Sequence, residues 1–359
     1  MSIIATILVG LLNIFGYIFN SKFNKVWFSL LFLIMIILMG GNNYNPDIFA
    51  YMYNYEFRSE SSDYGYQFLK NIFIYFGLSY EQFKLCLTIF CFFLINNTVR
   101  RFIKYPSLFY LLYFIYPFFI DIVQVRNFFI MSILIYSLPY LITDLKKDKI
   151  KFFILTLFAS TIQLTAIVYL PLIMISKIKR YKYLRFILLT IIIFCTMIAL
   201  NKSLLSTFTL NIIAVLGNFD ERISNYGFIQ TNYGFILLWA IQFTNFLMIY
   251  WSKKKCGENK LLLKHEQNKY IETVYYINLI AFLFLPFYVF QVTFSRFMRN
   301  IIPINLIAFL ITDSIYKKNK YIFRVVYISY QVMLLYIDLN YLYPNIILND
   351  FFEYNWIFN

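Results

Sequence analysis

Residues 152–176 read FFILTLFASTIQLTAIVYLPLIMIS, 25 positions without a single formal charge. A helix that crosses a bilayer takes about 20 mostly apolar residues, so this run is long enough to cross once. Basic residues stand on both sides of it: Lys146, Lys147, Lys149 and Lys151 before, and Lys177, Lys179, Arg180, Lys182 and Arg185 after. Flanks of the same sign belong on the same side of a membrane, which one crossing forbids and which 25 residues cannot satisfy by crossing twice. Two readings stay open. The segment is one long span whose polar residues serve helix contacts, or it is a re-entrant helical hairpin whose tip carries Ser160, Thr161, Gln163 and Thr165. Irregular backbone at membrane depth is tolerated only where protein buries it or a water-filled cavity solvates it. The second reading therefore marks a functional cavity.

The rest of the chain has the same solvent. Of 359 residues 61% are hydrophobic and 14% charged, with a mean hydropathy of +0.66. Soluble domains have about 45–50% apolar and about 25% charged residues, so this chain lacks the polar groups to cover itself in water. Apolar runs separated by polar punctuation fall at 2–19, 27–41, 80–99, 105–120, 122–143, 184–200, 233–251, 270–290, 300–316 and 321–339. The fold class expected is all-α, a single polytopic integral membrane domain over 1–359 with about 10–12 transmembrane helices. The run at 2–19 has no basic n-region and a second span follows at once, so it reads as a retained helix.

The 32 Lys and Arg against 17 Asp and Glu give a net charge of +15, which in a soluble protein would raise nucleic acid as a partner. In lipid the excess has another cause. With the N-terminus outside, 24 of the 32 basic residues fall in inside loops and 11 of the 17 acids fall outside, as the positive-inside rule requires. No nucleic-acid partner is expected. The expected topology is multi-pass, with outside segments at 42–79, 201–232 and 340–359. The stretch 64–77 is amphipathic and suited to a membrane surface. Cys86, Cys91, Cys195 and Cys256 have neither disulfide-framework nor metal-ligand spacing. His265, the sole histidine, lies in a lysine-rich inside loop. With no phosphate-binding loop or dinucleotide motif, chemistry is expected on the outer face.

Eight basic residues fall outside the inside loops: Arg58, Lys70, Lys84, Arg126, Lys202, Arg222, Arg296 and Arg299. Arg126 lies about one turn inside a helix end, where a cation is costly unless paired or hydrated, so it is a site candidate; Asp121 is its nearest acid in sequence. Arg296 and Arg299 are three residues apart and share a helix face, a fork suited to phosphate. Arg222 sits beside Asp220 and Glu221 and is a weaker candidate. Asp47 and Asp63 lie among tyrosines and asparagines, groups that hold sugar rings, and either carboxylate could take a proton from a hydroxyl. Ser79 and Glu81 read as a capped helix start.

With these residues in view, the run from Gly40 to Leu78 resembles the first extracellular loop of EpsG-like, Wzy-type polysaccharide polymerases. The matching positions are Gly40, Gly41, Asp47 and Tyr51; Asp63, Tyr64, Gly65 and Tyr66; and Gly77, Leu78 and Ser79. Arg126–Asn127 is similar to the family's Arg-Gln pair. Ala159–Ala166, with Gln163 at its centre, is similar to an Ala-Ser-x-x-His-x-Ser-Ala motif. This chain departs at three places: Asp63 stands for Glu, Asn127 for Gln, and Gln163 for His, which removes the imidazole.

The resemblance implies a polymerase of polyprenyl-pyrophosphate-linked oligosaccharide repeat units on the outer face. Taken with the charge placement, it makes Asp63, Asp47 and Arg126 the catalytic candidates and Gln163, Asn127 and Tyr66 binding ones, while the out-of-place charges add Arg296, Arg299 and Arg222 as binding candidates for pyrophosphate. The implied partners are lipid-linked oligosaccharides, the bilayer and a chain-length regulator, the implied place is a bacterial plasma membrane, and no cofactor or metal is implied. Competing readings are a lipid-sugar-dependent glycosyltransferase or ligase, and a flippase of lipid-linked oligosaccharide. The latter would show duplicated halves, and none is visible.

Overall fold

The computed structural model describes residues 9–12, 24–57, 63–143, 145–200, 234–259, 262–290, 292–315 and 320–357. Among these residues there is no β-strand beyond one isolated bridge, and six helices are long and apolar enough to cross a membrane. They are Tyr80–Phe102, Val125–Ile142, Gly234–Glu258, His265–Val289, Thr293–Ile315 and Arg324–Leu342, with Val26–Gly41 as a shorter apolar helix. The protein is all-α and polytopic. The helices are α1 Asn24–Gly41, α2 Ile48–Glu56, α3 Tyr64–Tyr75, α4 Tyr80–Phe102, α5 Ser107–Ile115, α6 Phe118–Val123, α7 Val125–Ile142 and α8 Lys146–Ile162. A 3-10 segment Leu164–Met174 leads to α9 Ile175–Arg180, α10 Lys182–Leu200, α11 Gly234–Glu258, α12 His265–Ile280, α13 Leu285–Phe290, α14 Arg296–Arg299, α15 Ile302–Ile315, α16 Lys320–Ile337 and α17 Asp350–Glu353. Most of the 2–19 run, and the outside segment 201–232 with Arg222, lie outside the described residues.

Of the two spans expected in the apolar stretch 105–143, the second is present as Val125–Ile142, while the first, 105–120, is broken. The stretch forms three helices, with breaks at Tyr116–Pro117 and at Gln124. Pro117 has no amide hydrogen to donate back and disfavours helical backbone in the residue before it, so the helix begun at Ser107 stops there.

Segment 146–180 resolves the two readings of the lysine-flanked run. Laid end to end, an α-helix from Lys149 to Ile162 and a 3-10 helix to Met174 would hold Lys149 and Ser176 about 40 Å apart. Instead the Lys149 ammonium donates to the Ser176 hydroxyl at 2.5 Å. The chain doubles back, with its turn at Gln163, where α-helix gives way to 3-10. Each leg is about 20–25 Å long, short of the ~30 Å hydrocarbon thickness. The re-entrant hairpin is the reading that fits.

The fold divides into two compact units, one drawn from 1–139, 154–167 and 306–359, the other from 140–153 and 168–305. In the first, α1 packs on α4 and α5 through rings: Phe32 lies 5.4 Å from Phe92 and 5.0 Å from Tyr110. Gly40 permits this approach, since a Cβ there would sit 3.2 Å from the Leu85 backbone. A C-terminal strap closes the end of α1: the Trp356 amide donates to the Gly41 carbonyl at 3.0 Å, and the Asn355 side chain donates to Ile37 at 2.9 Å. The segment after α1 is then fastened from below by the Lys84 ammonium on the Asn42 carbonyl, by Lys70 on Asn54 at 2.8 Å, and by the Tyr55 hydroxyl on Leu78 at 2.8 Å. Lys70 and Lys84, out of place by charge rule, are structural ties.

Helix α3 is the amphipathic element expected at 64–77. Tyr66 and Lys70 face inward, while Tyr64, Phe68 and Tyr75 are exposed. It ends in a Schellman turn: Gly77, at φ 71°, donates to Ile74 at 2.9 Å and Leu78 to Phe73 at 3.1 Å. A left-handed residue is required there, which is why glycine stands at 77. The capping box of α4 pairs Ser79 with Gln82 rather than with Glu81, because the residue three positions on is the one whose side chain reaches back.

The second unit joins α11 to the α12–α13 region through polar contacts in an apolar setting. Gln242 donates to the Ala281 carbonyl and accepts from the Tyr288 hydroxyl, each at 2.5 Å. Asn278 and Asn305 bond reciprocally at 2.8 and 3.1 Å. Buried amides of this kind are stable only when satisfied, and these are.

Candidate active site

Three separated stretches meet in the first unit. Asp63 stands at the N-cap of α3, a position where a carboxylate usually accepts from the helix amides. Here its side chain makes no capping bond. It meets the Arg126 guanidinium instead, at 2.5 Å, and Asp63 is 5% exposed against 20% for Arg126. Arg126 occupies the first turn of α7, where the helix dipole disfavours a cation, so the ion pair offsets an otherwise unfavourable placement. The partner is Asp63. Asp121, nearer in sequence, is buried and takes the Tyr113 hydroxyl at 2.8 Å.

Aromatic faces complete the pocket around the guanidinium, with Tyr51 at 5.2 Å and Tyr66 at 5.4 Å from its carbon to the ring centres. Burial, with Tyr51 beside it, pushes the Tyr66 hydroxyl above its usual range and keeps it neutral. Asp47 is the N-cap of α2, the helix that carries Tyr51. It is half-buried and makes no side-chain capping bond, while its amide donates to Asn45 Oδ1 at 3.0 Å. Asn127, next to Arg126, is buried in α7.

The hairpin tip reaches the same place. A Cβ at Gly65 would fall 2.1 Å from Thr161 Oγ1 and 2.9 Å from the Thr161 carbonyl carbon, so glycine alone allows the contact. Two residues beyond Thr161, Gln163 closes the turn through its backbone: its amide donates to Ala159 at 3.1 Å and its carbonyl accepts from Ala166 at 3.0 Å. The Gln163 side-chain oxygen is buried and finds no hydrogen-bond partner among the described residues, and the same holds for Arg126 Nε. Asp63, Tyr66, Arg126 and the 159–166 stretch are thus gathered in one place.

Arg296 and Arg299 belong to the second unit. They bound the short helix α14, where Arg299 is 1% exposed and Arg296 Nε donates to the Thr293 carbonyl at 2.9 Å. Tyr169, on the returning leg of the hairpin, donates its hydroxyl to the Phe297 carbonyl at 3.1 Å and accepts from Asn300 Nδ2 at 3.0 Å. Tyr169 and Asn300 carry no sequence signal of their own; only the spacing of the two arginines drew attention to this turn.

These features define an all-α membrane protein with a buried carboxylate–guanidinium pair held by an aromatic segment and the tip of a helical hairpin. Over residues 3–356 the chain matches the EpsG family, and it belongs to that family. It is therefore a membrane protein of polysaccharide biosynthesis. No curated protein and no solved structure matches it.

Proposed function

We propose that the chain polymerises polyprenyl-pyrophosphate-linked oligosaccharide repeat units on the outer face of a bacterial plasma membrane, with the N-terminus outside. One observation carries the reading: Asp63, Arg126 and the 159–166 tip, far apart in sequence, converge on one polar site.

In the reaction, a hydroxyl oxygen of the incoming repeat attacks the anomeric carbon of the growing chain. The bond from that carbon to the pyrophosphate oxygen breaks, and the electron pair leaves with the polyprenyl pyrophosphate. The proton of the attacking hydroxyl passes to a carboxylate, Asp63 or Asp47. Arg126 faces the negative charge that develops on the leaving group, the kind of stabilisation that lowers such barriers most. In the resting site Arg126 is engaged with Asp63. An arriving pyrophosphate competes for the guanidinium and releases the carboxylate, which couples donor binding to the appearance of the base. Tyr66, Asn127 and Gln163 line the sugar, and Arg296, Arg299 and Arg222 recognise lipid-linked pyrophosphate. A chain-length regulator acting beside the polymerase fits this scheme.

Arg126→Ala should abolish polymer in cells while single lipid-linked repeats and protein level stay normal. Polymer of ordinary length from that variant would overturn the reading. Loss of outward-facing lipid-linked repeats would point to a flippase, and a product extended by one sugar to a single-addition transferase.

A further inference from the structure

Tyr80 is the first residue of α4 and only 3% exposed. Its ring packs 5.8 Å from that of Tyr55, which stacks on Phe83, and Phe83 lies 5.7 Å from Tyr66, the ring under the Arg126 guanidinium; this chain of rings places Tyr80 beside the Asp63–Arg126 site. Its hydroxyl is buried and meets no hydrogen-bond partner among the described residues. The neighbouring tyrosine behaves differently: the Tyr55 hydroxyl donates to the Leu78 carbonyl. A buried hydroxyl without a partner costs stability, and phenylalanine would fill the same space at no such cost. A tyrosine kept under those terms marks a hydrogen bond made to something else.

The partner's chemistry follows from the surroundings. Arg126 Nε, also buried and without a partner, is a donor only, so the occupant brings acceptor oxygens and negative charge. We propose that Tyr80 is a substrate-binding residue whose hydroxyl donates to a phosphate oxygen of the lipid-linked sugar held by Arg126. This rests on the polymerase reading and adds to it a ligand group. The phenol is short-reached and neutral, so it fixes the position of the phosphate rather than its charge.

The test is Tyr80→Phe, which removes one oxygen and leaves the ring. Polymer made in cells, normalised to the amount of protein in the membrane, should fall about tenfold, the loss expected for one hydrogen bond to a charged group. The purified full-length protein in detergent should melt at the same temperature as wild type or higher. Its affinity for farnesyl pyrophosphate, used as a pyrophosphate probe, should fall by a similar factor. Wild-type polymer yield and wild-type probe affinity in this variant would overturn the proposal. Arg126→Ala keeps the two readings apart. If it is inactive while Tyr80→Phe is normal, only the Tyr80 assignment falls; if both are normal, the site itself is wrong. A probe that binds neither wild type nor variant overturns the phosphate assignment.

Discussion

Thr161 occupies the volume that any side chain at Gly65 would need, with its Oγ1 2.1 Å from the position of a Cβ. The contact seats the tip of the re-entrant hairpin on the motif that begins at Asp63. Gly65→Ala should therefore lower the melting temperature by an amount corresponding to about 1–3 kcal/mol, the usual cost of overpacking, and reduce polymer yield more than protein level. Adding Thr161→Gly should recover part of both. Thermal unfolding in detergent and polymer per molecule of protein measure the two effects, and an unaffected Gly65→Ala would show the contact to be loose.

Breaking the Asp63–Arg126 pair from one side leaves the other charge in a largely buried place. Asp63→Asn should cost stability near the lower end of about 3–5 kcal/mol, since Arg126 keeps some water. Removing both charges together should cost less than the sum of the two single changes, because neither is then left unpaired. Arg126→Lys keeps the charge but loses the planar fork, so it should fold and still make little polymer. Strict additivity across the double-mutant cycle would show that the two groups do not interact.

Lys70 gives a pH dependence. Burial pushes its ammonium below the usual lysine range in the folded protein. Between that lowered value and the ordinary lysine value the unfolded chain binds more protons, so stability rises with pH through the window. As pH rises toward the ordinary lysine value of about 10.4, the wild type should gain melting temperature relative to Lys70→Met, which has no proton to lose. An identical pH response in both proteins would remove Lys70 as the cause.

Arg324 holds Asp313 with two bonds of 2.8 Å, and the Asp313 side chain has no exposure. Asp313→Ala should destabilise by about 3 kcal/mol or more through the unpaired guanidinium, yet leave polymer per folded molecule unchanged. A shift in chain length would bring this pair into the site.

Much of this was readable from residue order, and the failures have physical reasons. Arg126 stood out because a cation inside an apolar helix is expensive wherever it pairs. Its partner did not, since Asp63 is 63 positions away and no periodicity encodes a pairing between loop and helix. The lysine flanks posed the hairpin question, but only the Lys149–Ser176 bond decides it. Tyr80 was invisible among 33 tyrosines, because what distinguishes it is a missing partner. The breaks at Pro117 and Gln124 hide inside a stretch whose hydropathy alone favours continuous spans.

The doubling back of 146–180 also settles a question of parity. A segment whose two ends meet contributes no crossing, so the sidedness of every helix after Arg180 is independent of it. Deleting 152–176 should leave a reporter fused beyond residue 180 on the same face of the membrane, where removing a true span would invert it. The hairpin is topologically silent: free to change its tip without disturbing how the rest of the chain is threaded.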